Sequence, residues 1–532
     1  MWRAGWRRKS SSNPGSSDDS RPRGLPLAYP LALLAGALLA LSFPRFGNPA
    51  FAWIALVPLL VALFGRRAPF APLRGFTLGL LAGIVYFAGT VYWTGTVIQT
   101  YGGLSIPVAV LAAGALVAYL ALFPAFFALM SEWLRCRYGP AALLLAPAVW
   151  VTTELARGYL WSGFPWVLLG YSQSRVLSIA QVASLFGVYG ISFLVMTANV
   201  ALAHLAIVRS RRAVWMAAVV GACIGATAIW GLARLRASTL TAEGEPIRTA
   251  VVQGNIAQEQ KWDPARADDI LDTYLRMTRD AAHRNARFVV WPESSTPFYF
   301  EEDQANADRV RAVVQETGVD LLLGSDQIEH RQPPAYYNSA FLLRADGSIS
   351  GVYRKIHLVP FGEYVPLRRL LFFVSPLVES VGDFSPGESM VMLPIDGFKT
   401  STAICYEIVY PDLVRQAVLA GSQLLTTITN DAWYGRSSAP YQHFAQASMR
   451  AIEQGRYLAR AANTGISGIV DPYGRVIAQS DLFEPAVLVA DVRFLTGLTV
   501  YGRIGDLFAY VCVVVTAAAM AAAAWRGHPR AA

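Results

Sequence analysis

Cysteine, histidine and charge are all scarce in this chain: among 532 residues there are 4 cysteines and 6 histidines, and only 15% of positions are Asp, Glu, Lys or Arg. Four cysteines without zinc-type spacing exclude a disulfide framework and a structural metal knot. Low charge beside a hydrophobic fraction of 54% excludes an all-soluble protein of this length. The formal net charge of +9 does not point to nucleic acid, because the arginines lie mostly between apolar runs rather than on a basic stripe interleaved with aromatics. No cleavable signal peptide is expected either: Arg3 to Lys9 is separated from the first apolar run by a long polar spacer, with no small-residue cleavage site after a short apolar core. There is no internal repeat.

What the sequence does have is long apolar runs. Seven fall at about 27 to 43, 49 to 65, 76 to 98, 106 to 134, 139 to 156, 177 to 208 and 213 to 233, and an eighth at about 504 to 525. A bilayer core takes roughly 20 helical residues, so these predict about eight membrane helices. The fifth run is short and carries Thr152, Thr153 and Glu154. With the N-terminus cytoplasmic, the basic tail, Arg66, Arg67, Arg74, Arg135, Arg137, Arg209, Arg211, Arg212, Arg526 and Arg530 all fall inside. The short outer loops hold Arg45 and Arg175, with Arg157 at an edge. That asymmetry places the stretch between the seventh and eighth runs outside. The expected organisation is a disordered basic tail at 1–26, membrane helices 1 to 7 at 27–236, a soluble domain at 246–495, an eighth helix at 504–525 and a cytoplasmic tail at 526–532.

The 246–495 stretch regains charge and alternates short β-rich runs with helical patterns, which predicts an α/β domain. Strands are expected at 247–252, 287–291, 320–325, 338–343, 348–353, 400–404, 423–428, 465–470 and 486–492. Helices are expected at about 265–285, 304–317, 411–420 and 441–460. Cys136, Cys223 and Cys512 lie in or beside apolar runs and read as small buried hydrophobes. Cys405 alone sits in the soluble stretch, after a strand and before a helix expected near Pro411. A helix N-terminus or a cation beside it would lower its pKa.

Two further residues sit at strand ends in the same domain. Glu293, in VVWPESS, follows a buried-looking strand at a turn made by Pro292, where a carboxylate can act as a general base. Lys355, in YRKIHLVPFGEYVP, follows the strand ending at Tyr353, where an ammonium can hold a developing oxyanion. Arginine greatly outnumbers lysine here, so a lysine at that position is not the compositional default. Each residue alone is read more simply as a buried thiol, a loop acid and a surface lysine.

Together, an acid, a lysine and a cysteine in this order resemble the Glu, Lys, Cys triad of the nitrilase superfamily. Joined to a multispan α-helical membrane domain, the chain resembles the apolipoprotein N-acyltransferase family from about residue 27 to the eighth run. The stretches that carry the resemblance are SGFPWVLLGYSQ (162 to 173), VVQGNIAQEQKWD (251 to 263), WPESS (291 to 295), YRKIHLVPFGEYVP (353 to 366), AICYE (403 to 407), TNDAWYG (429 to 435) and RAANTGISGIVDPYGRV (460 to 476).

The resemblance implies an extracytoplasmic nitrilase-like α-β-β-α sandwich, with Glu293 as general base, Lys355 as oxyanion stabiliser and Cys405 as nucleophile. It also implies supporting roles for Trp262, Asn338, Glu363, Tyr406 and Glu407. The implied reaction moves a fatty acyl group from a phospholipid, through a Cys thioester, to the N-terminal amine of a diacylglyceryl-modified apolipoprotein at the bacterial inner membrane. No cofactor, metal or nucleic acid is expected, and the chain is expected to be a monomer.

The apolar segment 367–384 and the aromatic PFYF at 297–300 suggest a lid dipping into the membrane interface. Two rival readings use the same residues differently. A membrane-anchored nitrilase-like amidase would let water resolve the acyl-enzyme. A transporter or scaffold with a degenerate domain would need paired intramembrane charges, whereas Glu132 and Glu154 lie near run ends and His204 is solitary.

Overall fold

The computed structural model describes residues 27–65, 71–364 and 384–525. The two tails, Arg66 and Arg67, and the lid segment apart from Phe384 lie outside the described residues. Each expected apolar run carries a helix: Ala28–Leu41, Val57–Phe64, Pro72–Val91, Ile106–Tyr138, Ala146–Tyr159, Ala183–Val208, Arg211–Ala237 and Leu507–Trp525. Among the described residues five stretches are long and apolar enough to cross a bilayer, at Pro72–Val91, Ile106–Ser162, Ala183–Val208, Arg211–Thr241 and Leu507–Trp525. The difference from eight has a physical source. The first two helices have only 14 and 8 residues, and the fourth and fifth runs form one stretch, joined by the 3-10 turn Gly139–Leu145.

Small residues let these helices approach. Gly75, Gly79 and Gly83 recur every fourth residue along Pro72–Val91, and a Cβ at Gly79 would stand 2.3 Å from the Pro124 carbonyl of the facing helix. Such close backbone packing is what holds apolar helices together where lipid removes the hydrophobic drive. The expectation that three cysteines are buried needs one correction. Cys512 is buried and Cys136 partly so, but Cys223 is exposed, because the Arg211–Ala237 helix turns most of its surface away from the protein.

The α/β part consists of β1 (Glu245–Gln253), β2 (Phe288–Val290), β3 (Asp320–Glu329), β4 (Ala335–Leu343), β5 (Ile349–Arg354), β6 (Leu393–Ile395), β7 (Phe398–Ile404), β8 (Leu424–Thr429), β9 (Leu458–Ala462), β10 (Gly468–Val470), β11 (Val476–Gln479) and β12 (Ala486–Phe494). Two six-stranded sheets result, in the orders β12-β1-β2-β3-β4-β5 and β11-β10-β9-β8-β7-β6. Strands β1, β2 and β3 run parallel, as do β7, β8 and β9.

Period-two alternation builds the layers. Val251, Phe288, Val290 and Leu322 share one core with Ile404, Leu424, Ile428 and Ala459 of the other sheet. Their neighbours Ala250, Val289, Trp291, Leu321 and Leu323 point the other way, onto the helices Ala267–His283 and Gln304–Thr317. The outer face of the second sheet carries Pro411–Leu419 and Ala439–Gln454, whose apolar residues merge with the core of the membrane helices. The helix expected to reach residue 460 stops at Gln454, where Gly455 takes a φ of 61 and closes the last turn onto Ala451. Residues from Leu458 onward become β9 instead.

Candidate active site

The ends of the central parallel strands gather the chemistry. Strand β7 ends at Ile404, and Cys405 turns into a short 3-10 helix with a φ of 54. A left-handed non-glycine residue is strained by ~1–3 kcal/mol and persists only where its surroundings fix it. Glu407 supplies part of that fixing. Its Oε2 accepts from Ile404 N at 2.7 Å, and its Oε1 accepts from Ile356 N at 2.7 Å, His357 N at 3.0 Å and the Tyr353 hydroxyl at 2.9 Å. One buried carboxylate thus ties the Cys405 turn to the loop bearing Lys355. The thiol does not behave as its strand-end position suggested. Burial pushes its pKa above the usual range and the Glu293 carboxylate adds to this, while Lys355 opposes both. Cys405 is therefore a neutral thiol at rest, and it needs a base to become a nucleophile.

Glu293 is the carboxylate whose charge reaches that thiol most strongly. Its Oε1 accepts from Asn338 Nδ2 at 2.7 Å and lies 3.6 Å from Lys355 Nζ, and its Oε2 accepts from Asn430 N at 2.8 Å. Lys355 is fully enclosed, with Nζ 2.7 Å from Glu363 Oε1. Burial works against its charge, but Glu363 and Glu293 outweigh it and hold its pKa above the ordinary lysine range. Asn338 also donates to Glu363 Oε1 at 3.1 Å, and Glu363 Oε2 accepts from Val359 N at 2.8 Å. Glu293, Asn338, Lys355 and Glu363 thus form one continuous buried network, with Cys405 within its electrostatic reach.

The turn that carries Glu293 rests on a bare backbone. A Cβ at Gly324 would stand 2.5 Å from the Pro292 carbonyl and 2.7 Å from Glu293 Cα. These are backbone atoms, so the turn itself has to move. Gly324→Ala is expected to lower the turnover of the site about 10- to 100-fold, the scale of a ~1 Å misplacement, together with a stability loss of ~1–3 kcal/mol as buried backbone shifts to relieve the overlap. Wild-type turnover in this variant would show that the turn has slack.

Tyr406 faces the membrane half, with its ring 6.2 Å from Trp166 and 6.3 Å from Phe164. Trp262 is not brought into the cluster: it remains 45% exposed. Its neighbour Lys261 is the one buried there, donating from Nζ to the Glu293 carbonyl at 3.0 Å. Burial lowers the Lys261 pKa to about 8 despite the nearby Glu293 and Asp326, and burial raises Asp326, which accepts from Ser294, to about 6. Sequence reasoning passed over Lys261, although a chain with four lysines gives each one weight. It also passed over Asp431, His443 and Arg460, all fully buried beside Cys405.

A protonated thiol, a carboxylate and an enclosed ammonium so arranged have the chemistry that forming an acyl thioester calls for: a group able to attack, one able to take its proton and a cation able to meet an oxyanion.

Comparison with known proteins bears on what such a site is used for. The family described as Carbon-nitrogen hydrolase matches residues 248–496, and the one described as Apolipoprotein N-acyltransferase N-terminal domain matches residues 35–201. An apolipoprotein N-acyltransferase from Geobacter metallireducens is 42% identical over 507 residues, covering 94% of this chain and 95% of its own. The enzymes of that name from Methylococcus capsulatus and Shewanella oneidensis are 37% and 35% identical, each covering 90% of this chain and 92% of its own.

Proposed function

We propose, since this chain belongs to the apolipoprotein N-acyltransferase family, that it transfers a fatty acyl group from a phospholipid to the N-terminal amine of the S-diacylglyceryl cysteine of apolipoproteins. The observation that carries the reading is the buried Glu293–Lys355 pair within electrostatic reach of Cys405, walled on the Tyr406 side by Phe164 and Trp166 of the segment that follows the Ala146–Tyr159 helix. A soluble amidase has no need of such a wall, whereas both substrates here carry tails that lie in a bilayer.

In the first half-reaction the Cys405 sulfur attacks the acyl ester carbonyl as Glu293 takes the thiol proton. Lys355 and a backbone N–H at the start of the Cys405–Val409 turn, which has no acceptor within the turn, hold the oxyanion. The tetrahedral adduct collapses to a thioester and lysophospholipid leaves with the proton. The α-amine of the acceptor then attacks the thioester, Glu293 relays its proton, and an amide forms while the thiol is restored. Asn338 and Glu363 hold Glu293 and Lys355 in register, and Glu407 holds the Lys355 loop against the Cys405 turn. Tyr406 lines the lipid side. Trp262, exposed on the loop that also carries Lys261, is placed to meet an incoming substrate.

The enzyme is assigned to the bacterial inner membrane as a monomer. Its eight helices cross or dip into the bilayer, both termini are cytoplasmic and the sandwich is extracytoplasmic. The charge asymmetry of the loops supports that orientation, and the paired short helices at 28–41 and 57–64 support the higher count.

The test supplies purified enzyme with phospholipid, then with a diacylglyceryl-modified lipopeptide, and follows both by mass spectrometry. Expected are a hydroxylamine-labile acyl increment that Cys405→Ala lacks, and an N-acylated lipopeptide. Accumulation of free fatty acid in place of the amide would overturn the transferase reading in favour of a hydrolase.

A further inference from the structure

Gln442 and His443 are neighbours on the Ala439–Gln454 helix, both fully buried, yet they serve different halves of the molecule. His443 Nε2 lies 3.2 Å from the Cys405 carbonyl oxygen. A carbonyl can only accept, so Nε2 carries the hydrogen. Nδ1 lies 3.0 Å from Asp431 Oδ1 and 3.1 Å from Arg460 Nη2. Arg460 closes the cluster onto Asp431 at 2.9 Å, and Thr429 donates to the same carboxylate at 3.0 Å. Burial and the Arg460 charge push the imidazole pKa down. Asp431, although burial works against its charge, is held down to about 2 by Arg460 and His443. The cluster is thus an imidazole braced by an enclosed Asp431–Arg460 ion pair, and its Nε2 edge grips the backbone of the nucleophile.

That grip falls where the backbone needs it. Cys405 is left-handed at φ 54, and Glu407 restrains only the residue before it, through Ile404 N. His443 is the side chain that holds the carbonyl of Cys405 itself.

Gln442 reaches the other way. Its Oε1 accepts from Trp166 Nε1 at 2.8 Å and from Trp93 Nε1 at 3.4 Å, and its Nε2 donates to the Pro44 carbonyl at 2.8 Å and the Thr90 carbonyl at 3.0 Å. All four hydrogen-bonding positions of the amide are used, and every partner belongs to the apolar-helix half. A buried amide so fully satisfied sets geometry strictly, because any shift leaves a donor or acceptor unpaired at a cost of ~1–3 kcal/mol.

We propose that His443 is a positioning residue that holds the Cys405 carbonyl so the thiol keeps its line to Glu293 and Lys355, and that Gln442 makes this hold depend on the docked membrane helices. The proposal deepens the acyl-transfer reading and rests on it only for the acyl-loading arm of its test. Its consequence is that the nucleophile is set by the seating of α/β sandwich on apolar helices, so a sandwich detached from them would carry the triad and lack the aim.

The test uses the full chain in detergent with phospholipid. Alkylation of Cys405 by iodoacetamide is followed across pH by peptide-resolved mass spectrometry, in parallel with acyl loading. His443→Ala is expected to lose about 10- to 100-fold in loading and to shift the pH profile of alkylation, since the thiol no longer sits fixed beside Glu293. His443→Gln, whose amide nitrogen reaches toward the same carbonyl, is expected to recover most of both. Gln442→Leu is expected to shift the profile in the same direction.

A folded His443→Ala protein with wild-type loading and profile overturns the proposal. So does equal impairment of the Ala and Gln variants with an unshifted profile, which marks a purely structural role. An unshifted profile in Gln442→Leu overturns the dependence on the membrane helices. Failure of the wild type to load lipid, with the alkylation shift intact, would remove the acyl-transfer reading and leave the positioning role standing.

Discussion

Glu293→Gln should drive two reactivities of Cys405 in opposite directions. Acyl loading from phospholipid is expected to fall about 10²- to 10⁴-fold, the usual worth of a general base, while alkylation by iodoacetamide at a fixed, mildly alkaline pH becomes faster. The reason lies in what keeps the thiol neutral. Burial and the Glu293 charge both raise the Cys405 pKa, and Lys355 lowers it. Removing the carboxylate charge leaves Lys355 less opposed, so the thiol pKa falls and the thiolate fraction at a given pH rises. Alkylation draws on that pre-formed thiolate. Loading a poorly activated ester gains from proton removal in step with attack, and that service is gone. Glutamine keeps the shape but offers one acceptor where glutamate offers two, so either the Asn338 or the Asn430 contact is lost. The paired measurement is an alkylation rate at Cys405 and a hydroxylamine-labile mass increment. If both fall together, Glu293 is holding structure rather than moving a proton.

How much of this was legible in the sequence depends on where each signal lives. Strand positions were readable to within a few residues because buried strands are continuous apolar runs. The α/β alternation then placed Glu293, Lys355 and Cys405 at the ends of β2, β5 and β7. The short edge strands β6 and β11, of 3 and 4 residues, carry too little pattern to register. Strand β9 was hidden because the helical periodicity of 441–454 runs straight into it, and only Gly455 marks the break. The eight apolar runs were visible, but whether a 14-residue helix such as Ala28–Leu41 crosses a bilayer is not a property of its sequence alone.

The sign of the Cys405 shift was not legible, since it depends first on how deeply the fold encloses the thiol and then on a carboxylate more than a hundred residues away in the chain. Lys261, Asp431, His443 and Arg460 were hidden for a related reason. Each lies in or near a stretch that marks the family, yet nothing in the order of residues says that they turn inward. His443 follows Gln442 on a helix whose polar residues Gln442, Gln446, Arg450 and Glu453 recur at helical spacing and so read as a solvent face, although the fold encloses them.

Lys355→Met is expected to fail in two ways that can be measured apart. Catalytically, the loss of a preorganised oxyanion partner costs about 10²- to 10³-fold in kcat, with little change in KM for the lipid because the ammonium acts on charge that develops only in the transition state. Structurally, Lys355 is the cation between Glu363 at 2.7 Å and Glu293 at 3.6 Å, and methionine fills its space while leaving two enclosed carboxylates facing each other. Removing one partner of a buried pair costs roughly 3–5 kcal/mol, which a thermal melt of the sandwich would register. The two losses respond differently to pH. Against the penalty of burial, Glu363 and Glu293 raise the folded pKa of Lys355. The stability it contributes is therefore complete below the unfolded lysine pKa and is lost only as pH rises through the folded one. Wild type loses none of it across the neutral range. In the variant the uncompensated carboxylates relieve their repulsion by taking up a proton, so the stability deficit should shrink as pH falls from 8 towards 5. The kcat deficit should persist, because a proton on a carboxylate does not replace a cation beside the oxyanion. A deficit in stability that is the same at every pH would mean that Lys355 is held by packing rather than by its two acids, and the electrostatic account of the site would have to be given up with it.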